Sequence, residues 1–104
     1  MTIKRESSSG NVFHDLGFAP KEAESLRLRS QLMIELDHLI KARKLTQSAA
    51  AKLFGVSQPR VSDLTRGKID LFSLDTLVGM LGRAGMRVEL RIARGVGSRR
   101  AQAA

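Results

Sequence analysis

The sequence predicts a mainly α-helical domain that ends in a single β-strand. Apolar residues recur every three or four positions through most of the stretch between Pro20 and Gly85, which is the helical period. Serine, threonine and glycine stand where such segments would begin and end. From Met86 onward the apolar spacing changes to two, which is the period of a strand. The length of 104 residues suits one domain of this kind.

The first predicted helix is long and follows an N-terminal arm of residues 1–19. It begins at Pro20, whose ring suits the first turn of a helix, and ends near Lys44, a cation that favours a helix C-terminus. The apolar stripe of this helix consists of Leu26, Leu28, Leu32, Met33, Leu36, Leu39 and Ile40. One face of the helix therefore belongs to a core.

Three shorter helices complete the predicted helical domain, residues 20–85. They are Gln47–Phe54 after the cap Thr46, Gln58 to about Arg66 after the cap Ser57, and a helix from the cap Ser73 to the stop Gly85. Gly79 and Gly82 lie inside the last helix, where each costs roughly 1 kcal/mol against Ala. We therefore expect close helix packing at these two glycines.

The predicted strand, residues 86–94, has one apolar face, made of Met86, Val88, Leu90 and Ile92. A lone strand must pair, and its partner is either the arm at Asn11 to Phe13, a second copy of the chain or another protein. We expect a homodimer joined through these four residues, with the fourth helix as the alternative contact. A disordered basic tail, residues 95–104, follows.

The charge balance points to a polyanionic partner. Lys and Arg number 18 against 10 Asp and Glu, which leaves +8, and nucleic acid is the commonest partner of so basic a small protein. A membrane partner is not favoured, because no apolar run approaches the ~18 residues of a spanning helix and the chain has no Trp or Tyr. The N-terminus has no secretory pattern, so we expect a cytoplasmic protein.

Catalytic groups are sparse. The absence of Cys excludes a disulfide scaffold, a thiolate zinc site and a cysteine nucleophile. His14 and Asp15 are adjacent and His38 lies on the first helix, but no spacing resembles a metal site or a catalytic triad. We expect no enzymatic activity, no metal and no cofactor.

The second and third helices have the spacing of a helix-turn-helix. Gly55 can take the positive φ that the sharp turn demands, and Ala51 is small where the helices approach. Five polar residues of the third helix are expected to face outward: Gln58, Arg60, Ser62, Asp63 and Arg66. Their side chains can hydrogen-bond to base edges and phosphates in a major groove. Arg60 and Asp63, three residues apart, could instead pair with each other on a solvated face.

Residues 46–68 resemble the helix-turn-helix of the Cro/C1 (XRE) repressors, with Thr-Gln at the start and Gly55 and Gly67 at family positions. The resemblance implies a lambda-repressor-like fold. Residues 12–17, the long first helix and the strand further resemble the HigA-type antitoxin branch. That narrower resemblance implies a small ribonuclease toxin of the RelE/HigB type as partner.

The resemblance also implies a set of DNA-binding residues: Gln47, Ser57, Gln58, Pro59, Arg60, Ser62, Asp63, Arg66 and Lys68. Gln47 would touch a phosphate, and Gln58 and Arg60 would face the groove. Arg66 and Lys68 would hold the DNA backbone. Where the family often has a longer polar side chain, Pro59 offers only apolar contact, such as to a thymine methyl.

The predicted function is a sequence-specific repressor that binds a palindromic operator as a homodimer and serves as the antitoxin of a type II toxin–antitoxin pair, repressing its own operon. Two alternatives stay open. One is a stand-alone phage-type or metabolic regulator without a toxin. The other is a toxin inhibitor or adaptor that does not bind DNA.

Overall fold

The computed structural model describes residues 16–93, and within them the predicted helices are confirmed. The elements are α1 (Pro20–Ala42), α2 (Gln47–Phe54), α3 (Gln58–Thr65), a 3₁₀ turn (Ile69–Leu71) and α4 (Leu74–Arg83). The first helix ends two residues before the predicted limit because Lys44 has left the helix with a φ of 53°. The predicted arm at Asn11 to Phe13 and the predicted basic tail lie outside the described residues.

The three shorter helices each begin at a hydroxyl side chain that accepts a backbone N–H three residues ahead, as a helix cap does. The capping pairs are Thr46 with Ala49 (3.0 Å), Ser57 with Arg60 (3.4 Å) and Ser73 with Thr76 (3.1 Å). These caps fix where each helix starts, and the cap at Ser57 fixes the start of α3.

A single core lies between α1 and the three shorter helices. α1 packs against α4, α3 and the 3₁₀ turn, while α2 packs against α3 and α4. The largest fully buried side chains are Leu36, Phe54, Val61, Phe72, Leu77, Met80 and Leu81. No helix within residues 16–93 is both long and apolar enough to cross a bilayer.

The predicted C-terminal strand is wrong, since residues 16–93 contain no strand. Met86 and Val88 are half-buried against the core, whereas Leu90 and Ile92 are 65% and 92% exposed. The alternation of inward and outward side chains therefore extends from Met86 to Val88, and the apolar side chains after Val88 no longer contact the core. A strand also needs a backbone partner, and the helices that surround this segment offer it no edge.

The expected close packing at Gly79 and Gly82 is also wrong for the described part of the chain. A Cβ built at either glycine would meet no heavy atom within 4 Å, and both residues are exposed. The two glycines face open space on the outer side of α4.

Candidate nucleic-acid interface

The turn between α2 and α3 is closed by one left-handed residue. Gly55 has a φ of 72°, and its N–H donates to the carbonyl of Ala51 at 2.9 Å. The N–H of Val56 donates to the same carbonyl at 3.0 Å. From α4, the Nε of Arg83 reaches over the turn and donates to the carbonyl of Leu53 at 3.3 Å. This arrangement holds α2 and α3 at a fixed angle, with α3 at the surface.

One side of α3 is core and the other is polar. Val61 and Leu64 are buried, whereas Gln58 and Pro59 are exposed and Ser62 and Asp63 are half-buried. Residues four apart lie above one another on a helix, so these four form two adjacent rows. The polar side chains among them form no hydrogen bond or ion pair with any other described residue.

Arg60 is placed differently from its neighbours on α3. Its guanidinium carbon lies 4.7 Å from the centroid of the Phe72 ring, and Nη1 donates to the carbonyl of Leu71 at 2.9 Å. The side chain therefore follows the loop that leads to α4. The alternative ion pair with Asp63 is not formed among residues 16–93.

The remaining predicted residues lie at the two flanks of α3. Arg66 and Lys68 are exposed just after the helix, and their side chains have no partner within the described part of the chain. Gln47 is exposed at the first position of α2, next to the cap Thr46. Ser57 is exposed as well, and its Oγ already accepts the N–H of Arg60 as a cap. The hydroxyl hydrogen of Ser57 and the second lone pair of its Oγ are not used by this cap.

Groups suited to metal binding or catalysis are not assembled in residues 16–93. No set of three His, Cys, Asp or Glu side chains there could hold a metal ion. His38 is exposed on α1, and His14 and Asp15 lie outside the described residues. The polar side of α3 is therefore the candidate functional surface.

Comparison with known proteins identifies the fold. A family model described as a helix-turn-helix domain matches residues 12–93. A solved structure described as a candidate XRE-family transcriptional regulator is 32% identical, with 74% of this chain and 86% of that chain covered and a TM-score of 0.66. The chain belongs to the XRE helix-turn-helix family. Among curated proteins, no sequence matches it.

As a member of the XRE helix-turn-helix family, the chain is a DNA-binding transcriptional regulator whose partner is double-stranded DNA. Family and fold are those of regulators that typically lack enzymatic activity. The XRE resemblance predicted from residues 46–68 is thereby confirmed. Neither comparison names the narrower HigA-type branch.

Sequence reasoning missed the arginines that hold this XRE domain together at its loops. Arg83 spans the α2–α3 turn, and Arg29 of α1 donates to the carbonyls of Ile69 and Phe72 at 3.3 Å each. Their partners are backbone carbonyls 30 to 43 residues away along the chain. No local pattern of residues could have pointed to such contacts.

Proposed function

We propose that this XRE-family regulator is a sequence-specific repressor that reads a palindromic operator with α3, as a homodimer. The observation that carries the proposal is the polar face of α3, whose side chains have no partner among the described residues. The exposed amide of Gln58 and the half-buried carboxylate of Asp63 are groups that can hydrogen-bond to base edges in a major groove. The charge of +8 supports the same surface through attraction to phosphates.

Each residue of this face has a role that its chemistry supports. Gln58 can bond an adenine edge in two places, and Asp63 can accept from a cytosine amine. Pro59, fully outside the core, can touch a thymine methyl.

The two flanks of α3 can contact the DNA backbone. On one flank, the positive charges of Arg66 and Lys68 can pair with phosphates. On the other flank, Gln47 and Ser57 can donate hydrogen bonds to phosphate oxygens, and Ser62 lies one turn beyond Gln58.

Two matched glutamine variants test this assignment. The wild-type chain is used to select a duplex from a random-sequence pool, and binding is then measured with each base pair of that duplex changed in turn. We expect Gln58→Ala to cost about 1 to 3 kcal/mol and to remove the preference at one base pair. Gln47→Ala should weaken all duplexes alike, because a phosphate contact has no sequence preference. A Gln58→Ala variant that keeps the full preference would contradict reading by α3.

The homodimer is proposed to form through the exposed apolar side chains of the C-terminal segment. Leu90 and Ile92 face solvent, while Met86 and Val88 pack against the core and hold the segment in place. Replacing Leu90 and Ile92 together by Glu should give monomers in sedimentation, with helical circular dichroism retained. Val78 of α4 is 42% exposed and is the alternative contact. If the dimer persists in the Leu90 and Ile92 variant but dissociates in Val78→Glu, the dimer contact lies on α4.

We further propose that the regulator is the antitoxin of a type II pair and represses its own operon. The support is the long first helix, the 23-residue α1, which is one of the features by which the sequence resembles the HigA-type branch. Leu16 and Phe18, which precede α1, are 70% and 39% exposed and offer apolar contacts to a protein partner. That partner would be a small ribonuclease of the RelE/HigB type.

Expression of the neighbouring gene tests the antitoxin role. If the neighbour arrests growth, and co-expression of this chain restores growth through a complex that can be purified, the role is supported. Binding of the chain to the promoter of the same gene pair would support autoregulation. A neighbour that is harmless would favour the stand-alone regulator of phage or metabolic genes.

A further inference from the structure

The loop that joins α3 to α4 is held from two sides by arginines. On one side Arg29 of α1 donates to the carbonyls of Ile69 and Phe72. On the other side Arg60 of α3 donates to the carbonyl of Leu71 and lies over the ring of Phe72. Phe72 itself is only 1% exposed, so the ring on which Arg60 rests is part of the core.

The contact of Arg60 uses properties that arginine has and other side chains lack. A planar guanidinium can place one face on an aromatic ring and still donate from its edge. In this geometry the donor at the edge finds the Leu71 carbonyl at 2.9 Å. The side chain is thus fixed at both ends, by the α3 backbone and by the loop. A residue so fixed is poorly placed to act as a flexible reader of bases.

The position of Arg60 links two parts of the proposed DNA-binding surface. The residue lies in the first turn of α3, two positions after Gln58, and its own N–H is capped by Ser57. The loop it grips begins directly after Lys68. Fixing the loop to α3 therefore fixes Lys68 relative to the reading end of the helix.

We propose that Arg60 is a positioning residue, which acts on DNA binding through Phe72 and the loop and not through contact with a base or a phosphate. This inference rests on the proposed reading of DNA by α3. When the contact is formed, Lys68 is already held in place beside α3 before DNA binds. The binding free energy is then not reduced by the entropy cost of ordering this loop. Without it, that cost weakens binding to every duplex while the preferred sequence stays the same.

Variants on both sides of the contact test the proposal. Arg60→Gln removes the cation, and Phe72→Leu removes the ring while leaving Arg60 intact, with Phe72→Met as a second variant if the first does not fold. On the duplex selected by the wild-type chain, we expect each to weaken binding roughly five- to tenfold. The double variant should be no weaker than the weaker single one, because both break one contact. Binding is measured well below each variant's melting temperature.

Three further readouts separate positioning from direct contact. The salt dependence of binding should be unchanged in Arg60→Gln, whereas loss of a phosphate contact would lower the slope by about one. The base preferences should also be unchanged. Amide hydrogen exchange at Leu71 and Phe72 should be faster in Arg60→Gln, with the amides of α4 unaffected. Arg29→Gln, the matched control on α1, should speed the same exchange and weaken binding less.

The opposite results would overturn the proposal in distinct ways. A lower salt slope makes Arg60 a phosphate contact, and relaxed preference at one base pair makes it a reader. Wild-type affinity in a folded Phe72→Leu variant removes the role of the ring. A wild-type chain that selects no duplex, or a Gln58→Ala variant with full preference, instead contradicts reading by α3, and the role of Arg60 falls with it.

Discussion

Gly55 shows how one residue can determine the geometry of a reading helix. Its φ of 72° closes the α2–α3 turn, and a Cβ at this position would lie 2.5 Å from the Nε of Arg83. Gly67 has nearly the same φ, 74°, but a Cβ there would meet nothing within 4 Å. The two glycines therefore share a backbone constraint and differ in their surroundings.

Alanine at each of these glycines should separate the two effects. We expect Gly67→Ala to lower the free energy of unfolding by about 1 to 2 kcal/mol, the cost of a left-handed L-residue. Gly55→Ala should cost roughly 0.5 to 1 kcal/mol more, because Arg83 must swing away and give up its bond to Leu53. Urea denaturation measures both. In an Arg83→Ala background the excess at Gly55 should vanish, and its persistence would mean that backbone strain alone sets it.

The sequence allowed the core side of α3 to be predicted, but not the placement of Arg60. Helical spacing suffices to say which of Gln58, Val61 and Asp63 face outward. The partners of Arg60 are 11 and 12 positions further on, past a loop whose path no local pattern dictates. A long side chain with several donors can reach many acceptors. Which acceptor it bonds depends on the packing of the folded chain.

Among the elements, α4 contains two glycines that its packing does not require. Because Gly79 and Gly82 face open space, the side chain of Ala would fit at both without a clash. We expect Gly79→Ala and Gly82→Ala each to raise the free energy of unfolding by about 0.5 to 1 kcal/mol, through higher helix propensity and a less flexible unfolded chain. Thermal and urea unfolding of the single variants measure this. A loss of stability that depends on protein concentration would place this face of α4 in the dimer.

The four helices could be predicted from the sequence and the strand could not, for a physical reason. A helix satisfies its backbone within itself, so a cap such as Thr46 and an apolar stripe are enough to define it. A strand depends on a neighbour that its own residues do not specify. At Met86 and Val88 the alternating pattern does predict which side chains turn to the core. It does not supply the backbone partner that would make the segment a strand.

For the whole molecule, charge determines how binding responds to salt. With +8 on the chain and basic side chains beside α3, the logarithm of the affinity should fall linearly with the logarithm of the salt concentration. Lys68→Ala should reduce the slope by about one for each chain bound. Lys21→Ala removes another exposed lysine, at the start of α1, and is the matched control, with an unchanged slope expected. Equal slopes for both variants would remove Lys68 from the interface.

The loop from Ile69 to Phe72 is gripped by arginines through its main chain, and this has a consequence for how its sequence can diverge. Three carbonyls take the hydrogen bonds from Arg29 and Arg60, and every amino acid supplies a carbonyl. Asp70, exposed and without an ion pair among residues 16–93, should therefore accept most replacements in a saturation mutagenesis screen. Arg29 and Arg60 should accept few. Within this loop the exposed residues Asp70 and Leu71 can thus change in character during evolution, whereas the buried ring of Phe72 and the two arginines keep its shape.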